Sequence, residues 1–89
     1  MKLSDKKKEK ISEQILAFLY SISPKPMFTS HIAEEIVRDD ELVKALLQNL
    51  KKKGLVTEIK KNPKGKIYSK RSRWALSDQA YKIYKDKQQ

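Results

Sequence analysis

The sequence predicts a mainly α-helical α+β fold in which three helices are followed by a small β-hairpin and a last helix. Three observations predict this fold. Apolar residues recur at helical spacing in segments that end before Gly54, the apolar period changes to two from Leu55, and Pro63 and Gly65 mark a turn soon afterwards. The 89 residues contain no internal repeat and no linker, so we expect one domain over residues 1–89, with residues 1–3 and 86–89 frayed.

The first helix is predicted to begin after Ser4, whose hydroxyl suits an N-cap, with the Asp5 carboxylate favourably placed in the first turn. Its buried face has the spacing i, i+4, i+7, i+8 and i+11. The residues on this face are Ile11, Ile15, Phe18, Leu19 and Ile22. Pro24 and Pro26 end the helix, because proline lacks the N–H donor and restricts the residue before it.

The next two helices are short and are joined by a tight turn. Thr29 or Ser30 is expected to cap the second helix, and Asp39 or Asp40 the third. Gly54 follows the cationic last turn of the third helix, where a left-handed residue commonly ends a helix. The apolar residues expected to face the core are Ile32, Ala33, Ile36, Val37, Val43, Leu46, Leu47 and Leu50.

The β-hairpin follows, and its first strand shows a period of two. Leu55, Thr57 and Ile59 are predicted on one face, with Val56 and Glu58 on the other. The turn is marked by Asn62, Pro63 and Gly65, and the return strand includes Ile67 and Tyr68 and continues or restarts towards Trp74 and Leu76. Trp74 is expected to anchor the core rather than to stack on a base.

The last helix is predicted to begin at a Ser-Asp pair. Ser77 suits the N-cap position, with Asp78 beside it. Ala80, Ile83 and Tyr84 then form a short apolar stripe expected to face the domain.

The charge balance favours a polyanionic partner. Lys and Arg number 21 against 11 Asp and Glu, which gives a formal net charge of +10. A field of this sign favours DNA, RNA or an anionic membrane surface. No apolar run approaches ~18 residues and the N-terminus lacks a signal-peptide pattern, so we expect a soluble, cytoplasmic protein that is not a membrane protein.

The composition argues against catalysis and metal binding. With no Cys and one His, the chain has neither a disulfide framework nor the usual ligands of a zinc site, so no metal and no cofactor are expected. A domain of this size buries about 60 to 65 per cent of its unfolded surface, which disfavours a deep cleft. Ser30 and His31 are adjacent on a helix and therefore point apart, so they do not form a nucleophile and base. We expect a non-enzyme, with His31 on the helix surface.

Three segments carry a family resemblance: I-A-E-E-I at 32–36, V-x-x-x-L-x-x-L-x-x-x-G-L-V at 43–56, and R-W-A-L-S-D-Q-A at 73–80. Together they resemble the winged helix-turn-helix of transcriptional regulators of the MarR, ArsR and PadR kind. In those families an aromatic-x-Leu-Thr-x-x-Gly segment closes the wing strand and opens the last helix. Trp74, Leu76 and Ser77 match it, whereas Ala80 stands where glycine is usual. The resemblance covers about two-thirds of the chain and implies the fold, but no particular operator.

The resemblance implies that the third helix enters the major groove of DNA. The contacts implied there are Lys44, Gln48, Lys51 and Lys52. A glutamine suits an adenine edge, and a lysine suits guanine or a phosphate. The alternative is that these residues are the solvated face of an amphipathic helix.

Five acids oppose this insertion because they surround the turn before the third helix. We call them the acidic turn: Glu34, Glu35, Asp39, Asp40 and Glu41. Phosphates repel these carboxylates, although one can accept a hydrogen bond from cytosine N4. The same acids also stabilise a helix N-terminus.

A basic run at residues 60–73, which contains no acid, is the stronger electrostatic signal. Its cations are Lys60, Lys61, Lys64, Lys66, Lys70, Arg71 and Arg73. As a wing it is expected to lie on the phosphate backbone or enter the minor groove, and the alternative is a hydrated loop. Contact with about five phosphates predicts a slope of log affinity against log salt of about −4.5.

A homodimer is expected from apolar residues on the terminal helices. Leu16 and Tyr20 are predicted on the side of the first helix opposite its buried face, and Tyr81 and Tyr84 lie on the last helix. The resemblance implies that these helices pair across a two-fold axis and set two half-sites about 34 to 36 Å apart. The alternative is that these residues pack within one chain.

The sequence therefore predicts a dimeric, nucleoid-associated regulator of transcription whose partner is double-stranded DNA. Two alternatives stay open. The hairpin at residues 59–70 also resembles that of a small ribosomal winged-helix protein, which suggests an RNA- or ribosome-associated module. The acidic turn suggests a protein-interaction winged helix that docks on a basic partner.

Overall fold

The computed structural model describes residues 4–60 and 72–87. These residues form, in chain order, α1 (Asp5–Ile22), β1 (Met27–Phe28), α2 (Thr29–Ile36), α3 (Asp40–Lys52), β2 (Val56–Ile59), β3 (Arg73–Leu76) and α4 (Asp78–Lys87). The strands form one antiparallel sheet in the order β1-β3-β2. The α+β class and the order of the four helices and the hairpin strands are confirmed. The last helix includes Asp86 and Lys87, which the sequence assigned to a frayed end.

The N-terminal ends of α1, α3 and α4 agree with the sequence. The Lys7 N–H donates to Ser4 Oγ at the start of α1, and the N–H groups of Glu41 and Leu42 donate to Asp39 Oδ2 at the start of α3. The Ala80 N–H donates to Ser77 Oγ at the start of α4. Each of these side chains satisfies a donor that the helix itself leaves unpaired.

Gly54 ends α3 in the left-handed conformation, with φ of 76°. The Gly54 N–H donates to the Lys51 carbonyl and the Leu55 N–H donates to the Leu50 carbonyl, at 3.0 Å each. This is the Schellman arrangement expected after a cationic last turn.

Strand β1 and the start of α2 differ from the prediction. Met27 and Phe28 pair with β3, opposite Trp74 and Arg73. The sequence missed this strand because two residues show no periodicity. Phe28, not Thr29 or Ser30, is the N-cap of α2, and it makes no side-chain capping bond. The hydroxyl of Thr29 instead accepts a hydrogen bond from Trp74 Nε1 at 2.8 Å.

The prediction that Val37 faces the core is wrong. Val37 ends α2 with φ and ψ of 55° each, and its residue surface is 83% exposed. The left-handed conformation reverses the chain between the two helices and turns the side chain to solvent. The Arg38 N–H then donates to the Ala33 carbonyl at 2.9 Å, which closes the end of α2.

The strand β2 begins at Val56, not Leu55, and alternates as predicted. Val56 is buried and Thr57 is exposed, so the face of Val56 and Glu58 points inward. Trp74 lies in β3 and is buried in the core, as expected. The predicted turn and return residues Asn62, Pro63, Gly65, Ile67 and Tyr68 lie outside the described residues.

The core lies between the helices and the inner face of the sheet. Its buried members are Ile11, Ile15, Leu16, Leu19, Ile32, Ala33, Val43, Leu46, Leu47, Leu50, Val56 and Trp74. The prediction that Leu16 lies opposite the buried face is wrong, because α1 packs against α2, α3 and β3 and so buries a wider arc than one stripe. Phe18 and Ile22 are only partly buried.

The apolar stripe of α4 is narrower than predicted. Ala80 is buried and Tyr84 is partly buried against the core, but Ile83 is 42% exposed. Ala80 and Tyr84 are four residues apart and share one face of the helix, whereas Ile83 is displaced around the helix from that line.

Candidate nucleic-acid interface

A groove of about 390 Å³ separates the outer face of α3 from the sheet. Its α3 side is formed by Asp40, Glu41, Lys44 and Gln48. Its other side is formed by the first residues of α2 and by Glu58, Ser72 and Trp74. The buried apolar face of α3 fixes which residues reach this groove, because Val43, Leu46, Leu47 and Leu50 all point inward.

The four α3 residues predicted to contact DNA have different surroundings. Lys44 is exposed and Gln48 is half-buried, and both line the groove one helical turn apart. Lys52 is exposed on the last turn. The ammonium of Lys51 is held by the sheet, since its Nζ lies 2.8 Å from Glu58 Oε1.

Glu58 is a site residue that the sequence did not identify. Its side chain is 6% exposed, and its carboxylate accepts hydrogen bonds from Lys51 Nζ at 2.8 Å and from Ser72 Oγ at 2.5 Å. Burial acts to raise the pKa of this carboxyl, but the bonds from Lys51 and Ser72 and the charges of Lys51 and Lys60 outweigh it and hold the pKa below its usual value. The alternation of β2 was the feature of the sequence that could have identified Glu58. It places Glu58 on the same face as the apolar Val56, and a carboxylate buried there requires a hydrogen-bond or ion-pair partner.

The described part of the basic run lies at its two ends. Lys60 is exposed directly after β2, and Arg73 is the first residue of β3. The Arg73 guanidinium carbon lies 5.9 Å from the centroid of the Phe28 ring, in cation–π contact across the β1–β3 pair. Lys61, Lys64, Lys66, Lys70 and Arg71 lie outside the described residues.

All five residues of the acidic turn are exposed. Asp39 caps α3, and Glu35 Oε1 lies 3.8 Å from His31 Nε2 on the surface of α2. Asp40 and Glu41 line the groove beside Lys44. The α3 wall of the groove therefore carries mixed charge, with acids at the helix start and a cation one turn later.

The residues predicted for a dimer interface contact each other or the core within one chain. The Tyr20 ring centroid lies 5.4 Å from that of Tyr81 and 5.7 Å from that of Tyr84, a group we call the tyrosine cluster. Leu16 is 7% exposed in the core, and Tyr81 is 40% exposed. Burial and the charge of Glu13 raise the pKa of Tyr84. The packing that the sequence left open as an alternative is thus observed for Leu16 and for the tyrosine cluster.

Within residues 4–60 and 72–87, no His, Cys, Asp and Glu residues are grouped so that they could hold a metal ion. None of the described helices has the length and apolar character needed to span a membrane.

No protein-family model matches the chain, and no curated protein matches it. Solved structures do resemble it. The complex of Staphylococcus aureus MepR with DNA superposes with a TM-score of 0.70 at 22% identity, over 93% of this chain and 72% of that one. The transcriptional regulator PcaV of Streptomyces coelicolor, in complex with its natural ligand, gives a TM-score of 0.66 at 16% identity, over 83% of this chain.

A ZitR mutant of Lactococcus lactis in its apo form gives a TM-score of 0.66 at 18% identity, over 90% of this chain. The chain spans only part of these regulators, 48% of PcaV and 58% of ZitR. At such identities the likeness establishes the fold. The chain has the winged helix-turn-helix fold that its resemblance implied, with one strand more than the sequence predicted.

Proposed function

We propose that the protein is a non-enzymatic transcriptional regulator that binds double-stranded DNA through α3 and the basic run. One observation carries the proposal: Lys44 and Gln48 lie one turn apart in a groove beside the sheet whose strands lead into the basic run. A helix with an adenine-reading side chain and a cation thus lies beside the two strands that lead into the basic run, which has the highest density of positive charge in the sequence. The likeness to the MepR–DNA complex supports the same use of the fold.

In the proposed complex α3 lies in the major groove. Gln48 bonds an adenine edge through its amide, and Lys44 contacts guanine or a phosphate. Sequence-independent affinity comes from cations on phosphates, which are Lys52, Lys60, Lys61, Lys64, Lys66, Lys70 and Arg71. Lys51 and Arg73 add to the positive field, but each already contacts a side chain of the sheet, Glu58 and Phe28 respectively.

The acids at the start of α3 limit how the helix enters. Asp40 and Glu41 line the protein groove between α3 and the sheet, and their carboxylates repel DNA phosphates that pass close to them. A complex that places Asp40 and Glu41 over base edges avoids this repulsion, because a carboxylate there can accept a hydrogen bond from cytosine N4. The proposed docking therefore relies on Lys44 and Gln48 more than on the first turn of α3.

We further propose that the regulator acts as a homodimer in the cytoplasm, associated with the nucleoid, with residues 1–89 forming a single winged-helix domain. Ile83 and Tyr81, the exposed member of the tyrosine cluster, leave apolar side chains of α4 open to a second copy. A pair of copies joined there would present two α3 helices to half-sites about 34 to 36 Å apart.

The test is a titration of labelled random duplex DNA and of single-stranded RNA at two salt concentrations, with sedimentation in parallel. We expect micromolar duplex binding at low salt and a slope of about −4.5 in log affinity against log salt. Lys44→Glu should weaken binding about tenfold. Lys6→Glu, which changes an exposed lysine in the first turn of α1 by the same charge, is the matched control.

Equal loss in Lys44→Glu and Lys6→Glu would contradict the use of α3, because the loss would then follow net charge alone. Tighter binding to RNA than to duplex would favour the RNA-associated alternative. The exposed acidic turn favours a second candidate function, docking on a basic protein, and this is the function to pursue if neither nucleic acid binds at low salt.

A further inference from the structure

Glu58 connects three parts of the domain with one carboxylate. It belongs to β2, its Oε1 accepts from Lys51 on the last turn of α3, and its Oε2 accepts from Ser72, the residue before β3. The side chain is 6% exposed although the residue lines the same groove as the exposed Lys44. Both oxygens are used, so the carboxylate is fixed in orientation.

The three connected parts are those that the proposed function places on DNA. The C-terminal turn of α3 is bound through Lys51, and the two strand ends that flank residues 61–71 are bound through Glu58 and Ser72. Glu58 also stands opposite Trp74 in the β2–β3 register, which places the connection over the buried tryptophan. One side chain therefore fixes the third helix relative to the base of the hairpin.

We propose that Glu58 is a positioning residue for DNA binding, which holds α3 and the base of the hairpin in one orientation so that both reach the same duplex. This rests on the proposed function. The carboxylate itself does not touch DNA, and it occupies Lys51, a cation that would otherwise be available to a phosphate. Loss of Glu58 should thus cost affinity even though it removes a negative charge and releases a positive one.

The direction of the change in DNA affinity distinguishes a positioning role of Glu58 from a simple electrostatic one. On charge alone, Glu58→Gln should bind DNA more tightly, with a slope steeper by about 0.9 because Lys51 gains one phosphate. If Glu58 positions the two contacts, the same variant should bind more weakly, with a shallower slope because fewer phosphates are contacted together. A purely structural role would lower the melting temperature and leave the affinity and slope of the folded protein unchanged.

The experiment measures duplex affinity and salt slope for two pairs of variants of the full chain. Glu58→Gln is paired with Glu9→Gln, which makes the same charge change at an exposed acid of α1, outside the groove. Ser72→Ala is paired with Ser30→Ala, which removes an exposed hydroxyl from the same groove without changing any charge. Fluorescence of the single Trp reports that each variant is folded.

We expect Glu58→Gln and Ser72→Ala to bind about two- to tenfold more weakly, the range that loss of one hydrogen bond gives, while their two controls bind as tightly as the wild-type protein or more tightly. Tighter binding by Glu58→Gln with a steeper slope would overturn the proposal. If Glu58→Gln does not fold, Ser72→Ala decides, and equal affinities for Ser72→Ala and Ser30→Ala would overturn it. No duplex binding by the wild-type protein would overturn the proposed function as well.

Discussion

Trp74 Nε1 donates a hydrogen bond to Thr29 Oγ1 at 2.8 Å, across 45 residues of sequence. The bond joins the middle strand of the sheet to the first turn of α2, and the tryptophan is buried. The indole of tryptophan has one hydrogen-bond donor and no acceptor. The hydroxyl of Thr29 is the acceptor that satisfies this donor. The relationship fixes one wall of the groove, because Thr29 and Trp74 both line it.

Removing this acceptor should destabilise the fold. Thr29→Val keeps the shape of the side chain but leaves the indole N–H unsatisfied, and we expect a loss of about 1 to 3 kcal/mol in the free energy of unfolding. Thr57→Val, at an exposed threonine of β2, is the control and should change stability little. Urea unfolding, followed by the fluorescence of Trp74, measures the free energy of unfolding of both variants. Equal losses in the two would show that the hydrogen bond does not contribute to stability.

Replacing Val37, in the turn between α2 and α3, should stabilise the fold by removing backbone strain. A β-branched residue with φ of 55° is strained, and its exposed side chain contributes little burial in return. Val37→Gly should raise the free energy of unfolding by about 0.5 to 1 kcal/mol, since part of the relief is offset by the greater entropy of glycine in the unfolded chain.

Val37→Ala separates the two contributions. It keeps a Cβ in the left-handed conformation, so it should gain less stability than Val37→Gly. Thermal unfolding of both variants provides the measurement. A glycine variant less stable than the wild-type protein would mean that the turn does not hold the conformation described.

The Glu58 carboxylate should make stability depend on pH in the acid range. Its pKa is lower in the folded chain than the usual value of 4.5, so the folded state binds the proton less well than the unfolded state. The contribution of Glu58 is therefore present above pH 4.5 and is lost as the pH falls through its folded pKa. Glu58→Gln should be less stable than the wild-type protein at neutral pH, and the difference should shrink in acid.

Urea midpoints for both proteins at several acid pH values check this. Glu9→Gln, at an exposed acid of α1, serves as the control for general charge effects. A difference between wild type and Glu58→Gln that stays constant through the acid range would contradict a depressed pKa at Glu58.

The sequence predicted the parts of this fold that depend on local chemistry. The apolar positions of α3 and the caps Ser4, Asp39 and Ser77 follow from spacing and from short-range hydrogen bonds, so a pattern is sufficient to find them. The strand β1 has only two residues and exists because β3 lies beside it. No periodicity in the sequence contains that information.

The candidate site was predicted less completely, for a related reason. Lys44 and Gln48 follow from the outward face of α3, but the pairing of Lys51 with Glu58 depends on how the helix packs on the sheet. Leu16 and Tyr20 were predicted to face a partner because one stripe was expected to fill the core. The packing of α4 against α1 through the tyrosine cluster, with Leu16 in the core, shows that the chain itself covers them.

The proposed dimer can be tested on the exposed face of α4. Ile83 is 42% exposed and Tyr81 is 40% exposed, so a charge at Ile83 should disturb a partner more than the fold. We expect sedimentation to give a dimer mass for the wild-type protein and a monomer mass for Ile83→Glu, with similar melting temperatures. Lys85→Glu adds acid to an exposed position of the same helix and should leave the mass unchanged. A dimer that survives Ile83→Glu would place the interface elsewhere.

Reversing charges within the basic run should weaken DNA binding far more than the same change elsewhere. Lys64→Glu, Lys66→Glu and Arg71→Glu together remove three cations from the run, and if each contacts one phosphate the slope of log affinity against log salt should become shallower by about 2.7. The control is the triple change of Lys6, Lys8 and Lys10 to Glu at exposed positions near the start of α1, away from the proposed dimer surface, which alters the net charge equally. Because both proteins carry the same net charge, a larger loss in the first one can come only from where its charges are. Equal losses would assign the affinity to the overall field of the chain, and unchanged binding by the first variant would remove both DNA and RNA as partners of the basic run.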